Sequence, residues 1–212
     1  MKAQIIAVGV LQRHQAFFDA SRDFLDAELR RLGMDVQTPV LAGADESGLF
    51  PAVEEAARSC ELILILTPPQ TEAMGAVNAV VSQGLGLPLE VREENLGHLR
   101  DHAVKTGASL TQGQLRTFAA APQGALQLDG GGLVQGYALA APRQMMLVLP
   151  LSPSELVQLF QGPVGGLLRR QASDAAARER QAAPDDGRPA EAAAVLKAVG
   201  LGEQSIPDFL KK

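Results

Sequence analysis

Tryptophan is absent, tyrosine and cysteine occur once each, and no apolar run reaches the ~18 residues that a membrane span requires. A single cysteine, Cys60, excludes an internal disulfide and any cysteine-rich zinc site. Aromatic residues are 4%, and Lys+Arg 19 against Asp+Glu 24 gives a net charge of -5. The chain therefore lacks both the basic footprint and the stacking platforms of a nucleic-acid binder. No secretory pattern precedes the first strand-like segment, so the expectation is a soluble cytoplasmic domain with no membrane and no nucleic-acid partner. Apolar residues at 46% supply a core, and 212 residues make one ordinary domain with a remainder.

What is present is order. Ala3-Gln4-Ile5-Ile6-Ala7-Val8-Gly9 is apolar, β-branched and closed by glycine, the pattern of a strand buried on both faces. Phe17, Phe18, Ser21, Phe24, Leu25, Leu29 and Leu32 then recur at three- and four-residue spacing up to Gly33, which predicts a helix. A short strand at 35–38 follows, then a helix with Asp45 or Ser47 as N-cap and Pro51 in its first turn. Leu62-Ile63-Leu64-Ile65-Leu66 is the strongest strand. This β-α-β-α-β order predicts an α/β domain of three layers, α/β/α, around a mostly parallel sheet. Helices are expected at 71–83, 93–106 and 111–120, strands around 126–128, 133–140 and 145–149, and a last helix opening at Ser152. Residues 171–189 shift to Ala, Arg, Asp, Gln and Pro and read as a flexible linker. A short helical tail, 190–212, completes the expected layout after a 1–170 domain.

In such a sheet, ligands sit at the C-terminal ends of the strands, so the loops after Val8, Leu66 and Leu149 are the candidates. Thr67-Pro68-Pro69-Gln70-Thr71 suits an anion badly: two prolines delete two N–H donors, and no glycine admits a ligand to the backbone. Asp129-Gly130-Gly131-Gly132 with Gly136 lacks the G-x-G-x-x-G spacing and reads as a hairpin turn. His98 and His102 share a helix face, but no glutamate stands between them as in a metalloprotease motif, and a solvated face is the simpler reading. His14 has no acidic sequence neighbour to orient it. Ser152-Pro153-Ser154-Glu155 reads as a capping box whose helix start could also face a cleft.

Several segments, in common order, resemble the N-terminal domain of CinA-type competence/damage-inducible proteins, which is related to the MoaB/Mog molybdopterin-binding domains. Ile5-Ile6-Ala7-Val8-Gly9 resembles that family's first strand, and Leu29 with Leu32-Gly33-Met34 its first helix and turn. Gly86-Leu87-Pro88-Leu89-Glu90 with Glu93-Glu94 is similar to its G-x-P-L-x-x-x-E-E, and Gly132 to Gly136-Tyr137-Ala138 to its G-T-A-P-G-F. Val148-Leu149-Pro150-Leu151-Ser152-Pro153-Ser154-Glu155 resembles V-L-P-G-x-P-S-E. Residues 196–206 resemble the opening of the next domain of such proteins.

The departures shape what the resemblance implies. The signature T-G-G-x-G-P-T-x-x-D-D falls on residues 66–76, where every cradle glycine is missing and Gly75 and Ala76 stand at the aspartate pair. Leu11 occupies a further acidic position, Asp19-Ala20-Ser21-Arg22 replaces D-T-N-A, and Leu151 replaces a glycine. Related domains use the cradle for pterin or phosphate and the acids for metal or substrate; Leu11, Gly75 and Ala76 offer neither charge nor a ligand oxygen. The resemblance thus implies a homo-oligomeric binding or assembly module without catalytic or metal residues and with no cofactor. Its vestigial cleft is expected at Thr67, Gln70, Thr71, Gly132, Gly136, Pro150, Pro153, Ser154 and Glu155. One alternative is metal-dependent hydrolysis of ADP-ribose-like nucleotides, with Glu72, Asp19 and Glu155 as substitute acids around Mg2+. Another is pterin (molybdopterin) binding without turnover.

Overall fold

The computed structural model describes residues 1–129, 132–134, 136–141 and 143–182. Strand β1 (Lys2–Val8) leads through a 3-10 turn (Gln12–His14) into α1 (Gln15–Arg31), β2 (Asp35–Val36) and β3 (Val40–Ala42). Next come α2 (Glu46–Ser59), β4 (Leu62–Thr67), α3 (Thr71–Leu85), β5 (Leu89–Val91), α4 (Glu93–Thr106), α5 (Gln112–Ala119) and β6 (Ala120–Pro122). Strands β7 (Leu126–Leu128), β8 (Gly136–Ala140) and β9 (Met145–Pro150) precede α6 (Pro153–Gln161) and α7 (Pro163–Ala182).

The main sheet runs β2-β1-β4-β9-β8-β7, with β3 beside β1 on the β2 side. Strands β1 to β4 and β9 pair in parallel, and only β7–β8 and β8–β9 are antiparallel. Alternation along the strands explains the layers. Ile6, Val8, Ile63, Ile65, Met146 and Val148 face a core shared with α2 to α5. Ala3, Ile5, Ala7, Leu62, Leu64, Leu66, Leu147 and Leu149 face the core shared with α1, α6 and α7. Every residue of β4 is buried, as its unbroken apolar run requires of a strand covered on both sides. The expected three-layer α/β/α architecture is the observed one.

Asp45 caps α2 by accepting from the Gly48 N–H at 2.9 Å, and Pro51 falls in the second turn rather than the first. The β5–β6 pair was not foreseen: its residues are short, partly exposed and joined only across the intervening α4 and α5. The strand expected at 133–140 begins at Gly136. Helix α7 runs to Ala182, well into the stretch read as linker, because Ala, Arg and Gln propagate a helix anchored by buried Val164 and Leu168. The remaining linker positions, the 190–212 tail and turn residues 130 and 131 lie outside the described residues. Among the described residues, no helix is long and apolar enough to cross a membrane.

Candidate functional site

Because β1, β4 and β9 are adjacent and parallel, their C-terminal ends deliver three loops to one edge. Thr67 lies opposite Pro150, and the Leu151 N–H donates to the Thr67 carbonyl at 2.9 Å, which clamps the second and third loops together. A cleft of about 490 Å3 opens there. His14 and Phe17 form one side, Pro68 and Pro69 another, and Pro150, Leu151, Ser152 and Glu155 a third. Leu133, Val134 and His102 of α4 complete it from the opposite layer.

The loop after β4 explains the character of this cleft. Pro68 and Pro69 carry no N–H, and the N–H of Gln70 is spent on the Pro68 carbonyl at 2.7 Å. Gln70 caps α3 without a side-chain hydrogen bond, and Glu72 adds negative charge to the first turn. Among the described residues, no lysine or arginine lines the cleft. An anion at this loop would meet few donors, and the charge beside the cleft is the Arg13 guanidinium behind His14.

Among the described residues, the polar side chains of the cleft are His14, His102, Ser152 and Glu155. The Arg13 Nε–H donates to His14 Nε2 at 3.2 Å, which leaves the ring proton of the neutral imidazole on Nδ1. That Nδ1 is buried without a partner, and so is Glu155 Oε2. Both atoms are covered by protein, Glu155 Oε2 by Gly132. Burial holds the Glu155 carboxyl above its ordinary range, while the Ser152 hydroxyl and the charge of His102 pull it back.

Of the residues expected from sequence, Pro150 and Glu155 line the cleft. Gly132 reaches it indirectly, its α-carbon lying against the Glu155 carboxylate. Thr67 is wholly buried at the end of β4 with its hydroxyl unpaired, and Gln70 and Thr71 begin α3; none of these lines the cleft. Gly136 is a buried strand residue of β8 opposite Leu128. Pro153 takes the first helical position of α6, and Ser154 is exposed.

The capping box expected at Ser152 does not form: Ser152 is the N-cap without a side-chain bond, its hydroxyl lies 3.3 Å from that of Ser154, and Glu155 turns into the cleft. The reciprocal box occurs instead at Thr111 and Gln114. His98 stands 3.6 Å from Asp129 while His102 faces the cleft, so the two do not share a ligand. His14, His102 and Phe17 were missed as a group because the wall they build comes from elements far apart in sequence.

The substitute acids do not converge. Asp19 pairs with Arg22 at 3.2 Å, Glu72 is exposed on α3, and only Glu155 reaches the cleft. A hard cation such as Mg2+ needs several oxygen ligands, and among the described residues no three His, Cys, Asp or Glu side chains are grouped to hold a metal. The residues do not fit the ion. A second, apolar pocket of about 330 Å3 lies between α2 and α3 near the start of β9, away from this site.

The fold, a three-layer α/β/α domain with a cleft at the strand ends, is shared with solved structures of other proteins. A molybdopterin biosynthesis protein from Mycobacterium abscessus superposes with a TM-score of 0.51 at 14% identity, covering 84% of this chain and 98% of that one. A crystal structure of the protein CinA, of unknown function, from Thermoplasma acidophilum superposes with a TM-score of 0.63 at 21% identity, covering 76% and 94%. The sequence is similar to putative competence-damage inducible proteins. That of Caldanaerobacter subterraneus subsp. tengcongensis is 24% identical over 212 residues, covering all of this chain and 48% of that protein. That of Symbiobacterium thermophilum is 25% identical over 217 residues, covering all of this chain and 47% of that protein. The chain spans about half the length of these relatives. No family model matches it. The resemblance read from the segments above is therefore supported by whole-chain similarity, and the fold is that of CinA and the molybdopterin biosynthesis protein.

Proposed function

We propose that this CinA-like chain is a binding module that holds a small molecule in the edge cleft and does not turn it over. The observation that carries this reading is the loop after β4, where Pro68 and Pro69 remove two donors and Gln70 spends the third. Hydrolysis of a pyrophosphate bond needs charge neutralised on the phosphoryl oxygens and a placed attacking water. A cleft lined, among the described residues, by a single carboxylate and no lysine or arginine supplies little of either. Pterin binding without turnover remains the second reading, favoured by the rings of Phe17, Pro68 and Pro150 that line the cleft.

A thermal-shift panel of a free pterin, AMP, NAD and ADP-ribose, with and without Mg2+, tests the proposal. A ligand at about 100 times its Kd adds about 2.7 kcal/mol, a visible rise in Tm. The expected result is a rise with at least one member of the panel and conversion of none. No shift with any member contradicts the binding reading. The module is also proposed to assemble as a homo-oligomer, since β3 leaves Val40 and Leu41 exposed (38% and 57%) on an open sheet edge. A single-chain mass by light scattering contradicts that.

A further inference from the structure

We propose that the apolar pocket between α2 and α3 binds an uncharged aromatic molecule of one or two rings. The inference is independent of the binding reading above, because this pocket lies near the start of β9 and the edge cleft near its end. Val53 of α2, Val80 and Val81 of α3 and Met146 of β9 line it, and each is less than a tenth exposed. A flat partner surface touches exposed side chains; residues this deep are reached by a guest small enough to enter. An apolar cavity of about 150 Å3 holds one benzene ring. The 330 Å3 available here suits a guest of about two rings.

Glycine makes the space. Gly84 and Gly86 line the pocket, and a Cβ at either would meet no other atom within 4 Å. Gly86 ends α3 with φ +63°, a conformation that favours glycine. Gly84 has no such reason: it lies within α3, where alanine is the better helix former. What its missing side chain leaves is room.

The polar groups of the lining are largely engaged. The Gln144 amide donates to the carbonyls of Ala57 at 2.8 Å and Cys60 at 2.7 Å, which uses both of its N–H groups. Glu54 accepts from Arg58 one turn on, so the pair brings no net charge to the pocket. Among the described residues, no other ionisable side chain lines it. Charge complementarity therefore favours an uncharged guest, since a charged one would lose hydration without gaining a free counter-charge. An aromatic face suits the Phe50 ring and the Met146 thioether.

The protein has no tryptophan, so bound indole can be followed by its own fluorescence, which moves to shorter wavelength in an apolar site. The expected result is a saturable blue shift with the parent protein, and binding of indole-3-acetate weaker by about tenfold or more. Gly84→Leu fills the space with a residue that keeps the helix, and is expected to weaken indole by about tenfold or more while unfolding stays cooperative. Gly84→Ala is expected to raise the Tm and weaken indole about threefold, which reads the site even where the leucine variant does not fold. No blue shift with the parent protein overturns the inference, and a changed particle mass in Gly84→Leu then gives the pocket to a second copy of this chain. Equal binding of indole by the parent protein and a folded Gly84→Leu places the ring elsewhere and also overturns it. Indole-3-acetate binding as tightly as indole overturns the preference for an uncharged guest.

Discussion

The Glu155 carboxylate lies directly on the α-carbon of Gly132: a Cβ at that position would stand 2.7 Å from Oε1 and overlap Oε2. A glycine in the segment between β7 and β8 therefore makes room for the acid that lines the cleft. Because the obstructing atoms are the far end of a flexible side chain, the clash is relieved by moving Glu155 rather than the backbone.

Gly132 is buried, but moving the far end of one side chain relieves the clash, so Gly132→Ala is expected to cost no more than about 1 kcal/mol. Ligand binding in the cleft is expected to fall about tenfold, because the carboxylate is displaced. Parallel denaturation and titration check this. A large stability loss with binding unchanged contradicts the assigned role of the contact.

Gly136→Ala is expected to behave in the opposite way. A Cβ there would come within 2.8 Å of the Val148 carbonyl and 3.4 Å of Leu128 Cβ, inside the β7-β8-β9 ladder. Backbone cannot yield as a carboxylate does, so the cost is expected to be about 1–3 kcal/mol. Urea denaturation reads it as a lower midpoint at constant slope.

The Tyr137 hydroxyl donates to Asn78 Oδ1 at 3.2 Å, and Asn78 Nδ2 donates to the carbonyls of Thr117 and Ala120 at 3.1 and 3.2 Å. Both side chains are buried, and burial pushes the phenol up, so it stays protonated as the donor. Tyr137→Phe leaves the amide oxygen unanswered and is expected to cost about 1–3 kcal/mol. Asn78→Ala is expected to cost at least as much, since it frees two carbonyls. Equal stability of Tyr137→Phe and the parent protein contradicts the network's role in joining α3, α5 and β8.

Glu155 also predicts a pH dependence. Its folded-state pKa lies above the unfolded one, chiefly through burial, so its contribution is most favourable below the unfolded pKa and is lost as pH rises through the folded one. Glu155→Gln removes that loss. The stability difference in favour of the variant is expected to grow between the ordinary glutamate range, about pH 4.3, and neutral pH. A difference that stays constant across that window contradicts the burial argument.

How much of this was legible in the sequence depends on where the information lay. Strands β1, β4 and β9 announce themselves because both faces are covered, so no polar alternation interrupts Ile5-Ile6 or Leu62–Leu66. Helices α1 and α2 follow from their apolar stripes and, in α2, from the Asp45 cap. Strand β5 is nearly invisible, because Leu89 and Glu90 are exposed and its pairing with β6 is the only thing that defines it. In α7 composition misled: the polar, alanine-rich residues after 170 keep their helix although few of them are buried.

The cleft was legible in half. Pro150 and Glu155 belong to a recognisable segment, and the paired prolines declare a stiff, donor-poor loop. The opposing wall, His14, Phe17 and His102, arises only when the turn after β1 and the flank of α4 converge. No local pattern marks such residues. For Glu155 the sequence supports both a helix cap and a place in the cleft, because it shows the spacing from Ser152 but not the space that Gly132 leaves for the side chain.

Binding without cleavage is decided by product analysis of ADP-ribose incubated with the protein and Mg2+ or Mn2+. The prediction is no AMP above the protein-free control. AMP release that disappears on Glu155→Gln or Glu72→Gln contradicts the claim.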